Sequence, residues 1–95
     1  MSTPLSISEL TDELSALKGW MLQDDTIKKT FVFNDFKQAF SFMVKVAFEA
    51  EALAHHPDWS NVYKTVHITL STHDAGNKVT MKDIELAKRI DELSI

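Results

Sequence analysis

The residues best suited to chemistry in this chain are histidines. His55 and His56 stand side by side in EALAHHPDW, and His73 follows in ITLSTHDAG. An imidazole with an ordinary pKa near ~6.5 both gives and takes a proton close to neutral pH. It also binds metals. In its charged form it suits the negative end of a helix by about 0.3–1 kcal/mol. The pair is therefore open to three readings: a proton-transfer site, a metal site, or a polar helix end.

Spacing separates these readings. His55, His56 and His73 are numerous enough for zinc, but adjacent residues on a helix point about 100° apart and converge poorly on one ion. Neither HxxxH nor HxH occurs. The chain has no cysteine, which removes thiolate zinc sites, disulfides and a thiol nucleophile. No serine sits in a Gly-x-Ser-x-Gly elbow, and two glycines in all cannot form a phosphate-binding loop. Acid/base chemistry is what remains. It competes with the bland reading in which His55 and His56 merely end a helix. His67 alternates with Thr65 and Thr69 and reads as a surface residue.

The elements that must position these residues are legible from their caps and periodicity. Ser6 and Glu9 form a capping box, with Leu5 and Leu10 as a hydrophobic staple. Leu10, Leu14 and Leu17 then recur at helical spacing, and Gly19 is placed to end that helix. WMLQDDTIKKTFVF reads as a hairpin turning at Asp24-Asp25. Ile27, Phe31 and Phe33 share one face of its second strand, and Lys29 interrupts that face. Asp35 and Gln38 open a second helix whose apolar stripe runs through Phe36, Phe40, Met43, Ala47, Ala50 and Ala54. Phe42, Val46 and Leu53 widen the stripe. Pro57 is expected to stop it, which puts the histidine pair in its last turn.

NVYKTVHITLS alternates, with Val62, Val66, Ile68 and Leu70 on one face. It is either one long bent strand or two strands meeting near Lys64-Thr65. THDAGNKV is a loop turning at Gly76-Asn77. Thr80 caps a last helix carrying Ile84, Ala87, Ile90 and Leu93. The expected architecture is an α+β two-layer fold in the order α-β-β-α-β-β-α. Its antiparallel sheet has three to four strands, with three helices on one face. One domain spans residues 1–95, without linker or repeat.

Composition narrows the partners. The formal net charge is −4 and no Lys/Arg run occurs, so direct nucleic-acid binding is not expected. The amino-terminal MSTPLSISEL lacks the basic and apolar regions of a signal peptide. The longest apolar-rich segment is broken by Lys45, Glu49 and Glu51 and is not expected to span a membrane. A cytoplasmic protein is the simplest expectation. The uncovered sheet face and strand edges are candidates for subunit pairing.

EALAHHPDWSNVYKTVHITLSTHDAG resembles the signature of the pterin-4a-carbinolamine dehydratases. The matching residues are Glu51, His55, His56, Pro57, Tyr63, His73 and Asp83. LKGWML and TFVFNDFKQAFSFMVKVAFEAE extend the resemblance over the chain. The resemblance implies dehydration of a 4a-hydroxytetrahydropterin to a quinonoid dihydropterin, the step after an aromatic amino acid hydroxylase has used its pterin. It implies no metal and no organic cofactor. It also implies the fold above, assembled as a homodimer or homotetramer. Animal members also serve a homeodomain transcription factor; nothing in this sequence speaks for that role.

By the same resemblance, His55 and His73 are the acid/base candidates, and His56 binds the substrate or shares the proton work. Ala54, Ser71, Thr72 and Asp74 flank them as pterin contacts. Glu51 is expected to orient His55 from one turn earlier, and Pro57 and Trp59 to wall the cleft. Asp83 is expected to hold a histidine, pair with Lys82, or complete the Thr80 cap. Relatives often carry GGLT where this chain has the longer GNKVT. Some have arginine at Lys82, which keeps the charge here but loses the planar fork. The competing expectations are a non-catalytic dimerisation module that regulates a protein partner, and a related pterin role in molybdenum-cofactor metabolism.

Overall fold

A computed structural model describes residues 3–94; Met1, Ser2 and Ile95 lie outside the described residues, as do those ends of the expected domain and of MSTPLSISEL. The element order is α1 (Ile7–Ser15), β1 (Met21–Gln23), β2 (Thr26–Val32), α2 (Phe36–Leu53), β3 (Asp58–Val62), β4 (Thr65–Leu70) and α3 (Met81–Leu93). A 3₁₀ turn, His73–Ala75, lies between β4 and α3. The four strands form one antiparallel sheet in the order β1-β2-β4-β3.

Register puts Ile27 opposite Leu70 and Phe31 opposite Val66, with Ile68 opposite both Lys29 and Trp59. Ile27, Phe31, Val66, Ile68 and Leu70 are all buried on that face. The helices add Leu10 from α1, Ala39, Phe42, Val46 and Ala50 from α2, and Ile84, Leu86, Ala87 and Ile90 from α3. Alanines at 39, 50 and 87 are almost wholly enclosed, as small residues at close helix contacts are.

The interruption at Lys29 is explained by what it ties. Its Nζ donates to the Lys18 carbonyl at 2.7 Å and to Asp91 Oδ1 of α3 at 3.0 Å, lying over the Trp20 and Phe31 rings. Trp20 Nε1 donates to the same Asp91 oxygen at 3.0 Å. Gly19 leaves room for this stem. Its φ is +86°, and a Cβ there would meet Lys29 Cε at 3.1 Å. Gly19 therefore precedes β1 rather than capping α1, which ends at Ser15 with Ala16 as its cap.

Three expectations about faces and bounds are corrected. The apolar stripe of α2 is rotated: Phe42, Val46 and Ala50 are buried, but Phe36, Phe40 and Ala47 are exposed, together with Val44 and Phe48. A helix apolar on two sides cannot reveal from periodicity which side meets the sheet. NVYKTVHITLS takes the second of its two expected forms, two strands joined by a tight turn at Tyr63-Lys64 with Tyr63 at φ +52°, and what is corrected is the face of Val62. That turn carries Val62 to the outer face, where it is exposed. Finally, α2 ends at Leu53, so the histidine pair follows the helix instead of closing it.

Candidate active site

The end of α2 is where the site begins. Ala54 adopts the left-handed conformation, φ +52° and ψ +41°. Ala54 N–H donates to the Glu51 carbonyl at 3.1 Å, and His55 N–H to the Ala50 carbonyl at 3.0 Å. These two bonds form a Schellman closure, a motif that normally places glycine at the left-handed position. Alanine holds it against a steric cost of about 1–2 kcal/mol. The reversal turns His55 inward, where it is 8% exposed, and leaves His56 outside. Two neighbouring histidines thereby receive different environments.

His55 meets the start of α3. Its Nε2 lies 2.5 Å from Asp83 Oδ1. Asp83 is fully enclosed, and its Oδ2 accepts from the Thr80 backbone N–H at 2.9 Å and from Thr72 Oγ1 at 2.8 Å. Asp83 therefore both holds a histidine and completes the Thr80 capping box. Asp83 Oδ2 already takes two donors, an environment that suits the ionised, acceptor-only carboxylate, so the neutral His55 ring donates from Nε2 and keeps the lone pair on Nδ1.

Glu51 is corrected. Its Oε1 lies 2.5 Å from His56 Nε2, not against His55. The i,i+4 geometry that would have served His55 needs a helix continuing through residue 55, and the turn at Ala54 removes it. This pair is exposed on both sides and contributes orientation more than stability.

His73 opens the 3₁₀ turn after β4 and is exposed. Its Nδ1 lies 3.2 Å from Asn77 Oδ1. An amide oxygen only accepts, so Nδ1 carries a proton and Nε2 is the open position. Gly76 and Asn77 turn the loop at φ +73° and +61°, and Thr72 and Lys78 close it as a β-bridge.

These pieces surround one cleft of about 210 Å³. Its walls are Ala54, His55, His56, Ser71, Thr72, His73, Asp74 and Lys82. They come from three junctions: the end of α2, the end of β4, and the first turn of α3. All three histidines are brought together, with Lys82 as the cation on the wall and Asp83 behind His55. Pro57 and Trp59 are not among the walls; Trp59 sits on the inner sheet face opposite Ile68, packed against the core. Thr80 and Asn77 are the participants that sequence reasoning did not place at the site. The T-x-x-D capping pattern and the turn at Asn77 were both visible, but only as local signals. Among the described residues, no three His, Asp or Glu side chains cluster as metal ligands, and no helix is long and apolar enough to cross a membrane.

Comparison with known proteins follows the same outline. The family model for pterin 4 alpha carbinolamine dehydratase matches residues 3–93. A protein from Opitutus terrae, named provisionally as a pterin-4-alpha-carbinolamine dehydratase, is 52% identical over 94 residues, covering 99% of this chain and 97% of its own. A crystal structure of a transcriptional coactivator/pterin dehydratase from Brucella melitensis superposes with a TM-score of 0.93 at 41% identity, covering 97% of this chain and 99% of that one. A pterin dehydratase-like protein described as a RuBisCO assembly factor in the α-carboxysome superposes with a TM-score of 0.65 at 24% identity, covering 79% and 86%. That last likeness is one of fold.

Proposed function

The chain belongs to the pterin 4 alpha carbinolamine dehydratase family, and from that premise we propose that it dehydrates a 4a-hydroxytetrahydropterin to the quinonoid dihydropterin and water. The reaction breaks the C4a–O bond. A proton must reach the departing hydroxyl, and another must leave the neighbouring ring nitrogen, whose electron pair forms the new C=N bond. One group has to give a proton and one has to take it. The observation that carries the proposal is the shared cleft of His55, His56 and His73.

The two best-placed imidazoles differ in what stands behind them. His55 is backed by the Asp83 carboxylate, which stabilises an imidazolium, so His55 is the base and takes the ring-nitrogen proton at Nδ1. His73 is backed by a neutral amide, which gives no such stabilisation, so its protonated form is the acid and donates from Nε2. The proton gained by His55 and the one lost by His73 are exchanged with solvent between turnovers. His56, held by Glu51, orients the pterin, and Lys82 supplies a positive charge at the wall. In this reading the protein recycles the pterin left by an aromatic amino acid hydroxylase and acts without metal or organic cofactor.

The assembly-factor role named for one structural neighbour belongs to that protein. A pure interaction module has no need of three histidines around one cleft, and that argues for catalysis here. The test is the dehydration rate of 4a-hydroxytetrahydropterin with and without the protein. Acceleration above the spontaneous reaction supports the proposal, and a rate equal to it overturns the proposal.

A further inference from the structure

We infer that Thr72 and Thr80 are positioning residues whose hydroxyls form a one-way hydrogen-bond chain into Asp83, holding His55 in the tautomer with its proton on Nε2. The kinetic consequence rests on the proposed role of His55. The tautomer is a property of the protein alone.

The direction follows from counting protons. Thr72 Oγ1 lies 2.8 Å from Asp83 Oδ2, and a carboxylate only accepts, so Thr72 donates there. A hydroxyl has one proton. Thr72 must therefore accept at its second contact, from Thr80 Oγ1 at 2.6 Å. Thr80 Oγ1 in turn accepts the Lys82 backbone N–H at 3.2 Å. The chain runs from the α3 backbone through Thr80 and Thr72 to Asp83, with each link fixed by the one before.

Its consequence falls on the other carboxylate oxygen. Oδ2 already receives Thr72 Oγ1 and the Thr80 N–H. Oδ1 faces His55 Nε2 at 2.5 Å. While both donors act on Oδ2, Asp83 is held as the anion and the shared proton stays on His55. Thr72 and Thr80 are each 2% exposed and Asp83 0%, so water cannot replace a missing hydroxyl. Removing the Thr72 proton donor weakens the anion, and the pair then takes up one proton from solvent: it enters at His55 Nδ1 as the proton on Nε2 passes to the carboxyl. His55 is left an acceptor at Nε2 with its proton on Nδ1, the atom the reaction needs bare. The cap of α3 thus does two things: it starts the helix and it sets the protonation of a side chain on another element.

The experiment is side-chain ¹⁵N NMR of the histidines, paired with dehydration kinetics, for wild type, Thr72→Val, Thr72→Ser and Thr80→Gly. Wild type should show His55 protonated on Nε2. Thr72→Val should move His55 toward the Nδ1-protonated pattern and lower kcat by roughly tenfold with KM little changed. Thr72→Ser, which keeps the hydroxyl, should restore both. Should Thr72→Val fail to fold, Thr80→Gly keeps a serviceable cap and removes the first hydroxyl; it should move the His55 pattern the same way by less. An unchanged His55 pattern in folded Thr72→Val or, in its place, Thr80→Gly overturns the inference. A wild type without dehydratase activity overturns the functional proposal instead, and the tautomer readout still decides this one.

Discussion

His55 Nε2 and Asp83 Oδ1 lie 2.5 Å apart, although 28 residues separate them in the chain. The contact joins the end of α2 to the first turn of α3, and it is closed from solvent on both sides. Removing one partner of such a pair leaves the other buried without its complement. Asp83→Ala strands the buried donors of His55, Thr72 and Thr80 and should therefore cost at least about 1–3 kcal/mol of folding stability, measured by denaturant unfolding. Asp83→Asn keeps the volume, should cost less, and should still lower turnover, because an amide can no longer serve as acceptor on both sides.

Ala54 occupies a conformation that glycine enters freely. Ala54→Gly should raise stability by about 1 kcal/mol, a shift of roughly 4–8 °C in Tm for a domain of this size. Thermal unfolding checks it. A lower Tm would mean that the left-handed turn is not what limits this position.

Glu51 should act on His56 and leave His55 alone. In Glu51→Gln the side-chain ¹⁵N signals of His56 should move and those of His55 should stay in place. Stability should change by less than about 1 kcal/mol, since the pair is exposed. Movement of the His55 signals would restore the i,i+4 expectation drawn from the sequence.

The amino-terminal capping box gives a pH dependence with a definite sign. The Ser6 backbone N–H, and then its hydroxyl contact, hold the Glu9 carboxyl below its ordinary value of 4.5. A depressed folded pKa contributes stability above the unfolded value, and that stability is lost as pH falls through the folded value. The Tm difference between wild type and Glu9→Ala should be present at neutral pH and shrink in acid.

Phe36, Phe40, Val44 and Phe48 recur on one exposed face of α2, and a second copy of the chain is expected to cover them. Sedimentation should show an oligomer that Phe40→Lys and Phe48→Lys shift toward monomer.

How much of this was legible depended on whether a signal was local. The Ser6, Asp35 and Thr80 caps, the turn at Asp24-Asp25 and the loop at Gly76-Asn77 are short-range, and the sequence carries each of them. The end of α2 was not, because Pro57 marked a limit while the helix closed earlier, through a left-handed alanine that no propensity favours. That single turn separated His55 from His56 and reassigned Glu51. The Asp83–Thr72–Thr80 network joins residues from two elements; its members were visible, but only the fold could connect them.

The central claim is that His73 gives the proton that leaves with the hydroxyl and His55 takes the proton from the ring nitrogen. Its most direct test is the dehydration rate of 4a-hydroxytetrahydropterin for wild type, His55→Ala and His73→Ala, each confirmed as folded. General acid or base catalysis contributes about 10²–10⁴-fold, so each substitution should lower turnover by at least about a hundredfold. Wild-type turnover in either variant would contradict the account.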